Sequence, residues 1–258
     1  FRSEKKAILM ASLFNTKLIK LEETLSTNDF AYELLKKGKI KEGTVILSQF
    51  QKQGKGQKGA KWESEYGKNI LMSIVLSPDI LAVNQFQLNI CISLALHDFS
   101  KKYFPERIKI KWPNDLLIEN KKLAGVLIKN IVKKDKIKYT IVGIGINVNQ
   151  INFTEFYLKA TSFKKLIEKE FDVLKLQKEL LICIKKRYLQ LKQKDFDVLK
   201  LQKEYLKHLF ALNDWRNYKI SKKEIKAKIV GVDEVGRILL KFENNNVKAF
   251  ALKEIAFL

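Results

Sequence analysis

The chain has 258 residues, 46% hydrophobic and 30% charged, with a formal net charge of +22; that length supports one large core with a small companion, and the composition excludes a disordered or fibrous protein. No apolar run is long enough to span a bilayer and no basic-then-apolar leader with a cleavage site opens the chain, so a cytoplasmic protein with no membrane partner is expected. Cys91 and Cys183 lack CxxC spacing, and His97 and His208 have no ligand pattern near them, which argues against a disulfide framework or a structural zinc site.

A charge of +22 suits a nucleic-acid binder. However, 45 of the 50 basic residues are lysine, spread along almost the whole chain. Base and phosphate recognition favours arginine forks, and there are only five arginines. A lysine-rich compositional bias explains the charge better than a sequence-specific DNA role, and weak attraction to polyanions follows from the field alone.

In chain order, residues 1–16 carry little pattern and read as a loose leader, with Met10 a candidate start. Residues 17–22 alternate as a first strand. Ser26, Thr27, Asn28 and Asp29 then signal a helix start, with Phe30, Ala31, Leu34 and Leu35 on one face and Gly38 as the stop. Hydroxyls and amides at a helix N-terminus serve either as a plain cap or as a polar ligand site. A strand over 44–49 leads into QKQGKGQKGAKW, residues 51–62, and a strand over 69–76 leaves it. In that loop Gly54, Gly56 and Gly59 alternate with Lys52, Lys55, Lys58 and Lys61. Glycines admit an anion close to backbone N–H groups and lysines hold its charge, so the loop reads as a lid over a phosphorylated ligand. It is neither a dinucleotide fingerprint, since no helix opens there, nor an ATP-cradling loop, since Ala60 and Lys61 follow the last glycine.

A helix is expected over 86–103, with Leu88, Ile92, Leu96 and Phe99 inward. Next comes Lys111-Trp112-Pro113-Asn114-Asp115, where Pro113 breaks a strand and exposes Lys111, Asn114 and Asp115 as loop groups. A hairpin follows, 116–119 and 123–131 across Asn120-Lys121, with Lys122 and Gly125 on the returning side. The strand over 139–148 holds Gly143 and Gly145, which mark where a ligand or backbone comes close, and ends in Asn147 and Asn149. Long helices are expected over 161–191 and 196–209. A nine-residue echo, FDVLKLQKE from Phe171 and again from Phe196, falls in them without a functional reading. Short strands over 218–220, 227–230, 237–242 and 247–252 make a small β-barrel. The fold class is therefore α+β, a mixed sheet flanked by helices over 17–212 and a small β-barrel domain over 213–258.

Taken together, Ser26-Thr27-Asn28, the loop 51–62, Lys111 to Asp115, Lys122-Leu-Ala-Gly125 and Gly143-Ile-Gly-Ile-Asn147 stand in the order seen in biotin protein ligases, over about residues 17–150. The chain resembles the enzyme-only type, without the DNA-binding winged helix of repressor-type members, and the resemblance implies the class II synthetase-like biotin–lipoate ligase fold. It implies ATP-dependent, Mg²⁺-assisted attachment of biotin, through biotinyl-5′-AMP, to a lysine of a biotin carboxyl-carrier domain, by a monomer or homodimer. By similarity Ser26, Thr27, Asn28, Gln51 and Gly125 hold biotin, and Lys55, Gly56 and Gln57 line the loop over the adenylate. Lys122 contacts the biotin carboxyl and α-phosphate oxygens, Lys111 is a second phosphate ligand, and Asp115 positions or deprotonates the incoming amine. Lys58, Trp62, Asn114 and Asn147 lie on the nucleotide side, and no residue is assigned to the metal.

The family loop is typically Gly-Arg-Gly-Arg-x-Gly-Arg, where this chain has Lys55, Gln57, Lys58 and Ala60. Lysine keeps charge but loses the bidentate fork. Weaker retention of the adenylate, with biotin leaking onto the chain's own lysines, is the expected consequence. Lys129 also stands where the family commonly has an acid. The rival readings are a lipoate–protein ligase of related fold and a non-catalytic polyanion-binding protein.

Overall fold

The computed structural model describes residues 17–154 and 160–258, with only the backbone of Lys58. The expected leader over 1–16 lies outside the described residues. Apolar and β-branched runs form β1 (Lys17–Thr24), β2 (Thr44–Gln51), β3 (Ile70–Leu76), β4 (Ile108–Lys111), β5 (Asp115–Ile118), β6 (Lys121–Lys133) and β7 (Lys136–Ile146). They make one seven-stranded sheet in the order β1-β2-β3-β7-β6-β5-β4. The β1–β2 pair is parallel, with α1 (Thr27–Lys36) as the crossover, and the other pairs are antiparallel.

All of β3, ILMSIVL, is buried, because both faces of the sheet are covered. On one face Ala31 of α1 packs with Ile46, Val75 and Ile141. On the other lies α2 (Gln85–Lys101), whose expected inward residues Leu88, Ile92, Leu96 and Phe99 are all buried. Each such side chain contributes roughly 1.5–3 kcal/mol of transfer free energy, which outweighs the modest helix propensity of Ile and Phe.

Two expectations are corrected here. The helix over 161–191 is broken into α3 (Phe163–Ile167) and α4 (Val173–Leu191), because Glu168 takes a left-handed φ of 60° and Asp172 restarts the helix by accepting from the backbone N–H of Leu174 and Lys175. The hairpin turn falls one residue early, on Glu119 and Asn120 (φ 50° and 63°), a pair of positive φ values that matches the twist of β5 and β6. The structure also explains the echo. Asp172 caps α4 and Asp197 caps α5 (Val198–Lys207), while Leu176 and Leu201, 2% and 5% exposed, sit at the same place in each copy and enter the core. Both copies are helix starts.

The C-terminal strands are β8 (Trp215–Ile220), β9 (Lys223–Val232), β10 (Ile238–Phe242), β11 (Val247–Phe250) and β12 (Ile255–Phe257), an antiparallel sheet in the order β11-β10-β9-β8-β12. Four of the five were expected; β8 and β9 run longer than expected, and β10 and β11 shorter. β12 was not. Its Phe257 packs edge-on against buried Tyr218, ring centroids 5.4 Å apart. The second sheet meets the first where Trp112 Nε1 donates to Gly236 O at 2.9 Å.

Candidate active site

Two neighbouring rows of the large sheet organise the site. The first runs Leu127, Gly143, Ser73 across β6, β7 and β3, and the second runs Lys111, Asp115, Gly125, Gly145 across β4, β5, β6 and β7. Because strand side chains repeat with period two, Gly143 and Gly145 open on the same face.

Over the first row lies the start of α1. Ser26 is its N-cap, accepting from the Asp29 N–H at 3.4 Å, so Thr27 and Asn28 enter the first turn and are buried. Gln51, the last residue of β2, receives both the N–H and the hydroxyl of Thr27 on Oε1, at 2.7 and 3.0 Å. Asn28 donates through Nδ2 to Leu127 O at 2.9 Å, and Ser73 Oγ lies 2.7 Å from Asn28 Oδ1 and 2.8 Å from Thr27 Oγ1. A Cβ at Gly143 would sit 2.4 Å from Asn28 Oδ1. The close approach that the strand glycines signal is therefore made by the protein's own amide. Of the hydroxyls at this helix start Ser26 is the cap, while Thr27 and Asn28 form a hydrogen-bonded cluster on the sheet.

Over the second row lies Trp62. A Cβ at Gly145 would sit 2.4 Å from its Cε2, so only glycine lets the indole rest there. The glycine loop folds back to deliver it: Trp62 N–H donates to Gly54 O at 2.8 Å, Gly56 N–H to Ala60 O at 2.6 Å, and a 3₁₀ turn occupies Gln57–Gly59. Lys55 Nζ reaches Asp29 Oδ2 at 2.6 Å and ties the loop to α1. Trp62 Nε1 is buried without a hydrogen-bond partner among the described residues.

At the far end of the second row stand the charges. Lys122 pairs with Asp115 at 2.8 Å, the two side chains 29% and 23% exposed. Lys111 forms no ion pair among the described residues. Its Nζ lies 4.7 Å from the centroid of the Phe257 ring. Burial holds its pKa below the ordinary lysine value; Asp115 opposes that shift and Lys122 adds to it. The segment between is fixed, not exposed as expected: Trp112-Pro113 is a cis peptide, Tyr205 Oη donates to Pro113 O at 3.2 Å, and Asn114, 4% exposed, donates to Val126 O. A turn written in polar residues is here a buried brace.

A cavity of about 460 Å³ joins the two rows. It is lined by Ser26, Thr27, Asn28 and Gln51 at one end and by Lys111, Asn114, Asp115, Lys122 and Gly125 at the other, with Lys55, Gly56, Gln57 and Trp62 above. The side chain of Lys58 lies outside the described residues. Asn147, expected near the nucleotide, does not line the cavity; its Nδ2 donates to Thr161 O at 3.0 Å, and its N–H to Leu123 O, bracing the end of β7. Sequence reasoning missed Ser73 beneath the polar cluster and four C-terminal residues of the cavity lining. Ser73 is a lone hydroxyl in a fully buried apolar strand, a signal that was available. Leu252, just after β11, and Ile255, Ala256 and Phe257 of β12 carried none. Among the described residues no group of three or more His, Cys, Asp or Glu gathers as a metal site, and Asp115 is the one carboxylate on the cavity lining. Also among them, no helix is long and apolar enough to cross a membrane.

This arrangement can be set against known proteins. The chain is 34% identical over 166 residues to the bifunctional ligase/repressor BirA of Bacillus subtilis, 63% of this chain and 51% of that one. It is 34% identical over 105 residues to the biotin–[acetyl-CoA-carboxylase] ligase of Paracoccus denitrificans, 40% of this chain and 43% of that one. It thus spans about half the length of the curated relatives it matches. Among solved structures, the biotin protein ligase of Aquifex aeolicus in complex with biotin and ATP superposes with a TM-score of 0.75 at 28% identity, covering 94% of this chain and 99% of that one. The model of the biotin/lipoate A/B protein ligase family matches residues 21–147, which hold both rows, the glycine loop and every charged residue of the cavity, so the chain carries a domain of that family.

Proposed function

We propose that this chain is a biotin–protein ligase that attaches biotin to a lysine of a biotin carboxyl-carrier domain through biotinyl-5′-AMP. The observation that carries this reading is the single cavity that joins a neutral hydroxyl–amide cluster to Lys111, Lys122 and Asp115. In the first step a biotin carboxylate oxygen attacks the α-phosphorus of ATP and the bond to pyrophosphate breaks. Two anions must meet, and two unit charges 4 Å apart repel by about 4 kcal/mol at an intermediate dielectric. Lys111 and Lys122 on one side of the cavity are suited to offset that repulsion. In the second step the acceptor ε-amine attacks the biotinyl carbonyl carbon, the C–O bond to AMP breaks, and the amine proton leaves; Asp115, beside Lys122, is placed to receive it.

Ser26, Thr27, Asn28 and Gln51 hold the biotin end in this reading, with Gly125 on the floor. Lys55, Gly56, Gln57 and Lys58 belong to a lid over the adenylate, and Trp62 Nε1 leaves one donor for the ligand. Asn114 braces the nucleotide side. Mg²⁺ usually takes one or two carboxylates plus substrate phosphates. A cavity with one carboxylate, already paired to Lys122, fits a metal that arrives on the phosphates, where it supplies charge neutralisation. The chain divides at about 212/213, since all strands of one sheet lie before it and all strands of the other after it. The polyanion-binding reading rests on charge alone and leaves the cavity unexplained.

The test is incubation with biotin, ATP, Mg²⁺ and a biotin carboxyl-carrier domain, read by intact-mass spectrometry. One biotinyl group on the acceptor is expected, and none with lipoate in its place. An unmodified acceptor under conditions that support a known ligase contradicts the reading.

A further inference from the structure

Three consecutive residues at the charged end of the cavity are each gripped from the C-terminal part of the chain. Trp112 Nε1 donates to Gly236 O, Pro113 O accepts from Tyr205 Oη, and the Lys111 ammonium lies over the face of Phe257 at 4.7 Å. Phe257 is itself well fixed. It pairs with Tyr218 across β12 and β8, and its ring packs on those of Tyr218 and Phe210 at 5.4 and 6.4 Å.

The two lysines of this end are stabilised in different ways. Lys122 shares Asp115, so part of its charge is already answered. Lys111 meets an aromatic face, which favours the ammonium without neutralising it. A carboxylate in the place of Phe257 would compete with an incoming phosphate; a ring does not. Without either, a buried ammonium tends to lose its proton or swing away to water.

We propose that Phe257 is a positioning residue for Lys111, its ring holding the ammonium charged and aimed into the cavity for a nucleotide phosphate. The assignment of the phosphate rests on the adenylate-forming reading above; the contact itself does not. The titratable groups facing Lys111 are Asp115 on β5 and Lys122 on β6. The cavity-lining residues on its C-terminal side, Leu252, Ile255, Ala256 and Phe257, carry no charge.

The test uses the full chain with Phe257→Leu, Phe257→Tyr, Lys111→Arg and the Lys111→Arg/Phe257→Leu double variant. Competitive acetylation of lysines across pH, read by peptide mass spectrometry, follows the Lys111 titration without any need for turnover. Its midpoint is expected to fall in Phe257→Leu and to return in Phe257→Tyr, while that of Lys109 on the same strand stays put. In biotin-dependent exchange of pyrophosphate into ATP, Phe257→Leu is expected to raise KM for ATP about three- to tenfold, more than KM for biotin, and to move the alkaline limb of kcat/KM to lower pH. With Lys111→Arg that limb does not respond to Phe257→Leu, because guanidinium does not titrate in this range. A Lys111 midpoint indifferent to Phe257→Leu, or a loss that Phe257→Tyr does not reverse, overturns the proposal. If the unmodified chain shows no exchange, the adenylation reading falls instead, and the acetylation arm still decides the Phe257 contact.

Discussion

Over the row Leu127, Gly143, Ser73, the side chains of Thr27, Asn28, Gln51 and Ser73 hydrogen-bond one another or the backbone, whereas at the end of the row Lys111, Asp115, Gly125, Gly145 one lysine, Lys122, pairs with the one carboxylate and Lys111 lies against the Phe257 ring. The first region is complete without a ligand. The second carries positive charge that only an anion answers. Under the proposed ligase reaction, which selects a carboxylic acid and then joins it to a phosphate, that division leaves recognition prebuilt and reserves the electrostatic work for the reacting atoms.

The sharpest way to separate the two regions is Lys122→Ala. It is expected to lower kcat/KM for adenylation by about 10²–10³-fold, the usual cost of removing one charge-stabilising donor, while equilibrium binding of biotin shifts far less. Equal losses in both would erase the distinction drawn here.

Acid should remove both regions together, because both rest on the layer of α2. His97 of α2 stacks on His208 just after α5, centroids 3.9 Å apart. Burial first, and His208 next, lower the His97 pKa to about 4. The unfolded chain therefore takes up the proton before the folded one does. Stability is intact above the ordinary histidine pKa of about 6.5 and is lost as pH falls toward 4, by up to about 3 kcal/mol. Urea midpoints at pH 7 and pH 4.5 measure this loss, and His97→Gln should remove most of the slope.

Smaller, and selective, are the two glycines. Gly143→Ala forces a Cβ against Asn28 and should cost about 1–3 kcal/mol, read as biotin affinity weakened tenfold or more. Gly145→Ala forces it against Trp62 and should lift the loop, read as faster proteolysis between residues 52 and 61 with biotin affinity less affected. The smallest effect belongs to the Lys55–Asp29 tie, about half-exposed on both sides and worth about 0.2–1 kcal/mol. Asp29→Asn should speed loop cleavage only a few-fold, and biotin with ATP should suppress cleavage in both proteins. A lid held by lysines should also leak adenylate, seen as biotin on the chain's own lysines by intact mass.

The first region was legible because its residue types are unusual for their places. Hydroxyls and amides at a helix start, and Gly143-x-Gly145 inside an apolar strand, each ask for a special neighbour. What stayed hidden was direction. Asn147 carries the same amide as Asn28 but turns toward Thr161, and nothing in its local pattern distinguishes the two. Ser73, a lone hydroxyl among the six apolar residues of β3, was not singled out. β12 is three residues long, below the span at which alternation can be seen, yet it brings Phe257 to Lys111. The break at Glu168 was masked by lysines and glutamate that propagate a helix well, and a left-handed φ at a non-glycine residue has no strong local signal.

The most direct test of the account is exchange of labelled pyrophosphate into ATP by the unmodified chain, with biotin, lipoate or no acid added, since it isolates adenylation from the acceptor. The account predicts exchange with biotin and background with the other two, because the hydroxyl–amide row selects the acid that the charged row activates. Exchange with lipoate in place of biotin, or with neither acid, would contradict it.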